Sequence, residues 1–162
     1  MGMNIPEISL PRVVIVGGGF AGLSLARMLS GNKFQVVLLD KHNYHTFQPL
    51  LYQVATAGLE PDAIAFPLRK IFKKHNNFFF RMTEVKSVSP EKSTVHTTIG
   101  SLVYDHLIIA SGSKTNYFGI EGMEEQSMSM KSIPEALNLR SLILQNFEKA
   151  LLTADLEKQR SL

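Results

Sequence analysis

Three glycines spaced as Gly17-x-Gly19-x-x-Gly22 follow directly on the apolar run Val13 to Val16, and this junction constrains the fold more than any other stretch of the chain. A short unbroken apolar run reads as a strand buried on both faces, the kind that fills parallel sheets. From Ala21 to Leu29 the pattern becomes helical, with Leu25, Met28 and Leu29 at helix-compatible spacing, and Gly31-Asn32 supplies a C-terminal stop. Phe34 to Leu39 is a second apolar run and ends at Asp40. Strand, glycine turn, helix and strand make one βαβ unit, so the expected fold class is α/β with a central parallel sheet.

The same junction carries chemistry. Gly17 permits a tight turn out of the strand, Gly19 lets a pyrophosphate reach the main chain, and Gly22 lets the helix lie close to the strand. The amides of the helix start and the positive end of its dipole favour an anionic group there. Asp40, about 18 residues past Gly22, can accept from both hydroxyls of an adenosine ribose and would repel a 2′-phosphate. A lone glycine motif is weak, but this one has the preceding strand, the following helix and the acidic residue, so it reads as a dinucleotide site. It does not by itself separate FAD from NAD.

Further along, Pro61 to His75 reads as a helix, with Ile64, Leu68, Ile71 and Phe72 on one side and Arg69, Lys70, Lys73 and Lys74 on or near the other. That basic cluster reads first as a solvated helix face and second as a contact for anionic lipid. Phe78 to Val88 alternates as strands do, and Phe78, Phe79 and Phe80 read as sheet packing. Thr94 to Thr98 and Leu102 to Tyr104 form an expected hairpin about Ile99-Gly100, and Leu107 to Ala110 a further buried strand. Ser132 to about Leu156 reads as a long helix, opened by the capping box Ser132-x-x-Glu135 with Pro134 in the first turn.

Composition excludes several functions. The 162 residues contain no cysteine, which removes disulfides, thiolate metal sites and thiol catalysis. Any redox work must then fall to a bound cofactor. The net charge of +3 shows no dense basic stripe, so nucleic acid is not expected as a partner. Met1 to Arg12 lacks a signal-peptide core, and no run approaches the ~20 apolar residues of a bilayer span. The reading is a cytoplasmic protein, with peripheral attachment to the inner face of the cell membrane left open. His42 and His45 stand three apart with no third ligand at sensible spacing, so no metal is expected, and they read as loop packing or hydrogen bonding beside a cofactor. His75, His96 and His106 read as surface or strand-edge residues. Ser111 and Ser113 lack an elbow motif around them, so no catalytic nucleophile is assigned.

The segment Tyr104-Asp105-His106-Leu107-Ile108-Ile109-Ala110-Ser111-Gly112-Ser113 resembles the second FAD signature of flavoproteins with two dinucleotide-binding domains. Ser111 stands where that family usually has Thr, which keeps the hydroxyl. The run Asp40-Lys41-His42-Asn43-Tyr44-His45-Thr46-Phe47-Gln48-Pro49-Leu50-Leu51-Tyr52-Gln53-Val54-Ala55-Thr56-Ala57-Gly58-Leu59-Glu60-Pro61 resembles the stretch that follows the second strand in type II NADH:quinone dehydrogenases, and Lys114-Thr115-Asn116-Tyr117-Phe118-Gly119 is similar to their continuation after the second signature. The resemblance covers roughly Arg12 to Arg160.

It implies a Rossmann-like FAD-binding domain whose crossover is an antiparallel β-meander, for which Phe80 to Tyr104 is the candidate. It implies FAD as cofactor, held by Gly17, Gly19, Phe20, Ala21, Gly22, Asp40, Lys41, Val85, Ala110, Ser111 and Gly112, with Gln48, Pro49 and Leu50 near the flavin ring. No side chain is implied to be catalytic, because the flavin carries the hydride chemistry. NADH and quinone are the implied partners of the full-length enzyme, with a membrane surface and a homodimer as further implications. The expected organisation is an N-terminal extension at 1–11, an FAD-binding segment at 12–131 and a helix at 132–162 leading toward an NADH-binding domain. The fold is expected to be incomplete relative to that family. No second glycine-rich βαβ unit occurs in these residues, and the return segment of the FAD domain, the quinone site and a membrane anchor are not found either. The chain alone is therefore expected to bind FAD weakly and not to oxidise NADH. The competing reading is a stand-alone FAD- or ADP-binding or interaction module without redox activity. Disulfide reductases of the same superfamily are disfavoured by the missing cysteines.

Overall fold

A computed structural model of the chain describes residues 3–160. Met1 and Gly2 of the N-terminal extension, and Ser161 and Leu162 at the end of the last segment, lie outside the described residues. The elements, in order, are β1 (Arg12–Val16), α1 (Phe20–Leu29), β2 (Gln35–Asp40), β3 (Tyr44–Thr46), α2 (Leu51–Ala55), β4 (Ala65–Pro67), α3 (Leu68–Ile71), β5 (Phe78–Met82), β6 (Val85–Ser89), β7 (Thr94–Thr97), β8 (Gly100–Val103), β9 (His106–Ile109), α4 (Met123–Gln126), α5 (Ile133–Leu151) and α6 (Leu156–Arg160). They divide into two compact units, one running up to His45 and over Phe66–Ser113, the other comprising Thr46–Ala65 and the chain from Lys114 onward.

The first unit is built on a four-stranded sheet in the order β5-β2-β1-β9. All its pairs are parallel, as the βαβ reading requires. Alternating side chains serve opposite faces. Val13, Ile15, Val36, Leu38 and Phe80 pack with Leu23 and Ala26 of α1 and with Leu68 and Phe72. Val14, Val37, Leu39 and Phe79 pack with Met3 and with Val95 and Leu102 of β7 and β8. Those two strands belong to the three-stranded antiparallel sheet β6-β7-β8, the expected meander. β2 is the centre of this sandwich: Val36, Val37, Leu38 and Leu39 are all at most 1% exposed. Each such side chain contributes roughly 1.5–3 kcal/mol relative to exposure. The three consecutive phenylalanines follow the same alternation, and Phe78 stacks on Phe72 with ring centroids 3.8 Å apart.

The N-terminal segment is anchored to this unit. The Arg81 guanidinium donates to the carbonyls of Met3 and Asn4, and Gln35 Nε2 donates to Pro6 O at 2.6 Å. Burial, and secondarily the neighbouring Arg69 charge, lower the Arg81 pKa from its ordinary value.

Three expectations need correction. β9 is not buried on both faces: among the described residues it pairs only with β1, and Ile109 is 69% exposed, because an edge strand has a neighbour on one side only. Pro61 to His75 is not a continuous helix. Pro61–Ala63 is a single tight turn of 3₁₀ helix, Ala65–Pro67 is extended, and α3 starts only at Leu68. Pro67 supplies no amide and bars Phe66 from helical geometry. The apolar residues that suggested one face serve two cores, Ile64 in the second unit and Leu68 with Phe72 in the first. Finally, the long helix ends at Leu151 rather than near Leu156. Asp155 N–H donates to Thr153 Oγ1, and Asp155 Oδ1 accepts from Glu157 N–H, so local side-chain bonds start a new short helix instead.

In the second unit α2 packs on the first turns of α5, where Leu51, Val54, Ala55, Ile64 and Ala136 are buried together. The expected capping box opens α5: Ser132 Oγ accepts from Glu135 N–H at 3.4 Å. The Glu135 carboxylate reaches back to the Lys131 amide at 2.8 Å and also takes the Ser129 and Ser132 hydroxyls. Among the described residues no helix is long and apolar enough to cross a membrane.

Candidate functional site

The turn between β1 and α1 gives each glycine of the motif a distinct physical reason. Gly17 has φ +106°, a conformation side chains rarely adopt, and a Cβ there would sit 2.3 Å from the Ala110 carbonyl oxygen. A Cβ on Gly22 would fall 1.8 Å from Gly17 O, so the helix can rest on the turn only without one. Gly19 differs from both. Its φ is −69°, and a Cβ there would meet nothing within 4 Å. Packing within the chain therefore demands glycine at Gly17 and Gly22, whereas the absence of a side chain at Gly19 leaves open space over the main chain.

Gly19 is also the N-cap of α1. It brings no side-chain cap, and no acidic residue occupies the first turn. No side chain at the cap or acidic group in the first turn therefore offsets the local positive potential of the helix start. These are the properties a phosphate requires, so the turn fits a dinucleotide.

Asp40 closes the other side of the turn. Its Oδ2 accepts from Gly18 N–H at 2.5 Å and its Oδ1 from His42 N–H at 2.7 Å. An ionised carboxylate has about four lone-pair sites, so two remain after these bonds. Lys41 extends to Glu84, Nζ to Oε1 at 2.9 Å, and Glu84 also takes Lys86 at 2.6 Å. Hydrogen bonds from Lys86 and then Lys41 lower the Glu84 pKa to about 2. Val85, half-buried at the start of β6, follows directly and packs with the meander core.

The second signature lies against the first. Ala110 N–H donates to Val16 O at 2.8 Å, and Ala110 O and the Ser111 Cα flank the Gly17 position. Gly112 has φ +72° with open space beside it. Thus Gly17, Gly19, Phe20, Ala21, Gly22, Asp40, Ala110, Ser111 and Gly112, distant in sequence, meet around one turn. Gln48, Pro49 and Leu50 belong to the second unit, where they form one 3₁₀ turn, and Gln48 Nε2 donates to Lys131 O at 3.2 Å. Among the described residues no cluster of His, Asp or Glu suits a metal ion.

Sequence reasoning passed over Gly18 and left His45 without a role at this turn. Gly18 is buried, and a Cβ there would press on Leu68 at 2.9 Å. His45 is buried too, with Nδ1 2.9 Å from Gly18 O and its ring edge-on to Phe20. The sequence reads His45 as loop packing or hydrogen bonding beside a cofactor; nothing in the local pattern names Gly18 as its partner.

Residues 11–152 match the family described as pyridine nucleotide-disulphide oxidoreductase. The chain belongs to that family. Among its relatives, the type II NADH:quinone oxidoreductase NdhA of Mycobacterium tuberculosis is 38% identical over 156 residues, covering 93% of this chain and 33% of the relative. The mitochondrial external alternative NAD(P)H-ubiquinone oxidoreductase B3 of Arabidopsis thaliana is 31% identical, over 92% of this chain and 28% of its own length. Among solved structures, NDH2 of Plasmodium falciparum superposes with a TM-score of 0.82 at 28% identity, over 93% of this chain and 32% of that one. The sulfide:quinone oxidoreductase of Aquifex aeolicus gives 0.76 at 30% identity, over 85% and 32%. The chain thus spans about a third of the length of the pyridine nucleotide-disulphide oxidoreductases it matches. The parallel sheet with a meander crossover is the Rossmann-type FAD-binding fold of these flavoproteins.

Proposed function

We propose that this chain is the FAD-binding portion of an NADH:quinone oxidoreductase. The observation that carries the reading is the open main chain at Gly19, set between two glycines that packing alone demands and beside the acidic end of β2. The main-chain amides from Gly19 to Gly22 would hold the pyrophosphate, with Gly19 letting it approach. The remaining lone pairs of Asp40 would take the ribose hydroxyls, and its charge disfavours a 2′-phosphate. Lys41 and Val85 are assigned to the adenosine end, and Ala110, Ser111 and Gly112 to the strand turn beside the cofactor. Gln48, Pro49 and Leu50, in the other unit, are assigned to the flavin ring by family resemblance alone.

The chemistry that FAD supplies when bound is two-electron transfer from NADH to quinone. The protein's part is to bind, orient and tune, so no side chain is assigned as an acid, base or nucleophile. NADH and quinone enter this reading because relatives are named for them. Their use, like attachment to the inner face of a membrane, is proposed for the whole enzyme and not for these 162 residues alone.

The test is an absorption spectrum and FAD titration of the purified chain. We expect flavin bands after incubation with FAD, with affinity weakened by roughly 1.5–3 kcal/mol in Asp40→Ala, as for hydrogen bonds to a charged group. A chain that stays colourless and leaves FAD fluorescence unquenched contradicts the reading.

A further inference from the structure

His45 is a buried titratable side chain for which the proposed function has no use. Its Nδ1 lies 2.9 Å from Gly18 O. A carbonyl oxygen only accepts, so Nδ1 carries the proton. The Gly18 amide, on the same residue, is held by Asp40 Oδ2 at 2.5 Å. Gly18 is therefore gripped at both its polar atoms, by two residues that the chain supplies within one short stretch, from the end of β2 to the middle of β3.

The consequence follows from peptide geometry. Among the described residues no peptide bond is cis, and in a trans peptide the carbonyl and the next amide point in opposite directions. Fixing Gly18 C=O toward the imidazole turns the Gly19 N–H away from it. Among the described residues that N–H finds no acceptor. The imidazole edge also meets the Phe20 ring, centroids 5.2 Å apart at 82°, so the first residue of α1 is braced by the same side chain.

We propose that His45 is a positioning residue for dinucleotide binding: by holding the Gly18 carbonyl it presents the Gly19 amide to the pyrophosphate. The inference rests on the FAD reading above and adds to it a residue that does not touch the cofactor. A free glycine turn samples several peptide orientations, and binding would have to select one. The histidine makes that selection beforehand.

The test uses the full chain with His45→Leu, which keeps apolar bulk without a donor, and His45→Asn, whose amide NH₂ falls near the position of Nδ1. FAD affinity is read by flavin fluorescence, and the Gly19 amide by its ¹H–¹⁵N shift without ligand. We expect roughly tenfold weaker FAD binding and a moved Gly19 shift in His45→Leu, the worth of one hydrogen bond, and recovery to within about threefold in His45→Asn. Unchanged affinity and shift in His45→Leu overturn the proposal, as does a loss that His45→Asn fails to restore. If His45→Leu does not fold, His45→Asn is compared with His45→Gln, whose amide falls near Nε2; equal binding by the two overturns it. If the wild-type chain binds no FAD, the FAD reading fails instead, and the Gly19 shift still decides whether the clamp exists.

Discussion

The two units spend similar kinds of sequence very differently. In the first, α1 is ten residues long and buries Gly22, Leu23 and Ala26. In the second, α5 is nineteen residues long and buries only Ala136, while Leu144, Phe147 and Leu151 face outward. Both helices carry apolar residues at helical spacing. The difference lies in what they rest on. The first unit offers a sheet with cover on both faces, so each apolar position of β1 and β2 finds neighbours. The second offers α2, about one and a half turns, and α5 outruns it. Apolar periodicity therefore identifies a helix, whereas burial requires a partner surface of matching length. The candidate dinucleotide turn sits in the unit whose central strands β1 and β2 are covered on both faces, as a preorganised site needs.

Four substitutions sharpen or break that contrast. Leu38→Ala, at the centre of the first unit's sheet, should cost about 2–5 kcal/mol, through lost burial and the cavity left behind. Chemical denaturation checks it, and a loss under about 1 kcal/mol, as at an ordinary surface site, would remove the claimed difference between the units.

At the start of α5, Ser132→Ala should cost about 1 kcal/mol, the usual worth of an N-cap. This cap has an acid dependence. The Glu135 pKa is lowered, first by the Ser129 hydroxyl and with help from the Lys131 amide and Ser132, against an opposing effect of burial. A folded-state pKa below the unfolded one means full stabilisation above the unfolded value and loss as pH falls through the folded one. Helicity followed by circular dichroism from neutral to acid pH should thus decline less steeply in Glu135→Gln, and parallel profiles would count against the network. Phe147→Ala, 67% exposed on α5, should shift stability by no more than about 0.5 kcal/mol, although it removes the larger side chain. A multi-kcal loss on denaturation would mean that this face is covered.

Much of the first unit was legible because its signals are local and mutually consistent. Val13 to Val16, the glycine spacing and Asp40 each favour the same βαβ unit, and the alternation of Phe78, Phe79 and Phe80 matches a strand between two cores. The cap at Ser132 was legible for the same reason: hydroxyl and carboxylate lie within one turn. What escaped the sequence depends on contacts between distant segments. Ile64 and Leu68 look like one helical face until Pro67 breaks it and sends them to different cores. Ile109 reads as a buried strand residue because apolarity does not reveal which strand forms the edge. His45 reads only as loop packing or a hydrogen bond beside a cofactor, because its partner, Gly18 O, is a backbone atom that no side-chain pattern encodes.

The most direct test of the account is FAD titration of Gly19→Val beside a thermal melt of the same variant. Because a Cβ at Gly19 meets nothing in the protein within 4 Å, the melting temperature should stay close to that of the parent chain while FAD binding is lost. A variant that binds FAD as the parent does, or that unfolds before binding can be measured, would contradict the assignment of that open main chain to a pyrophosphate.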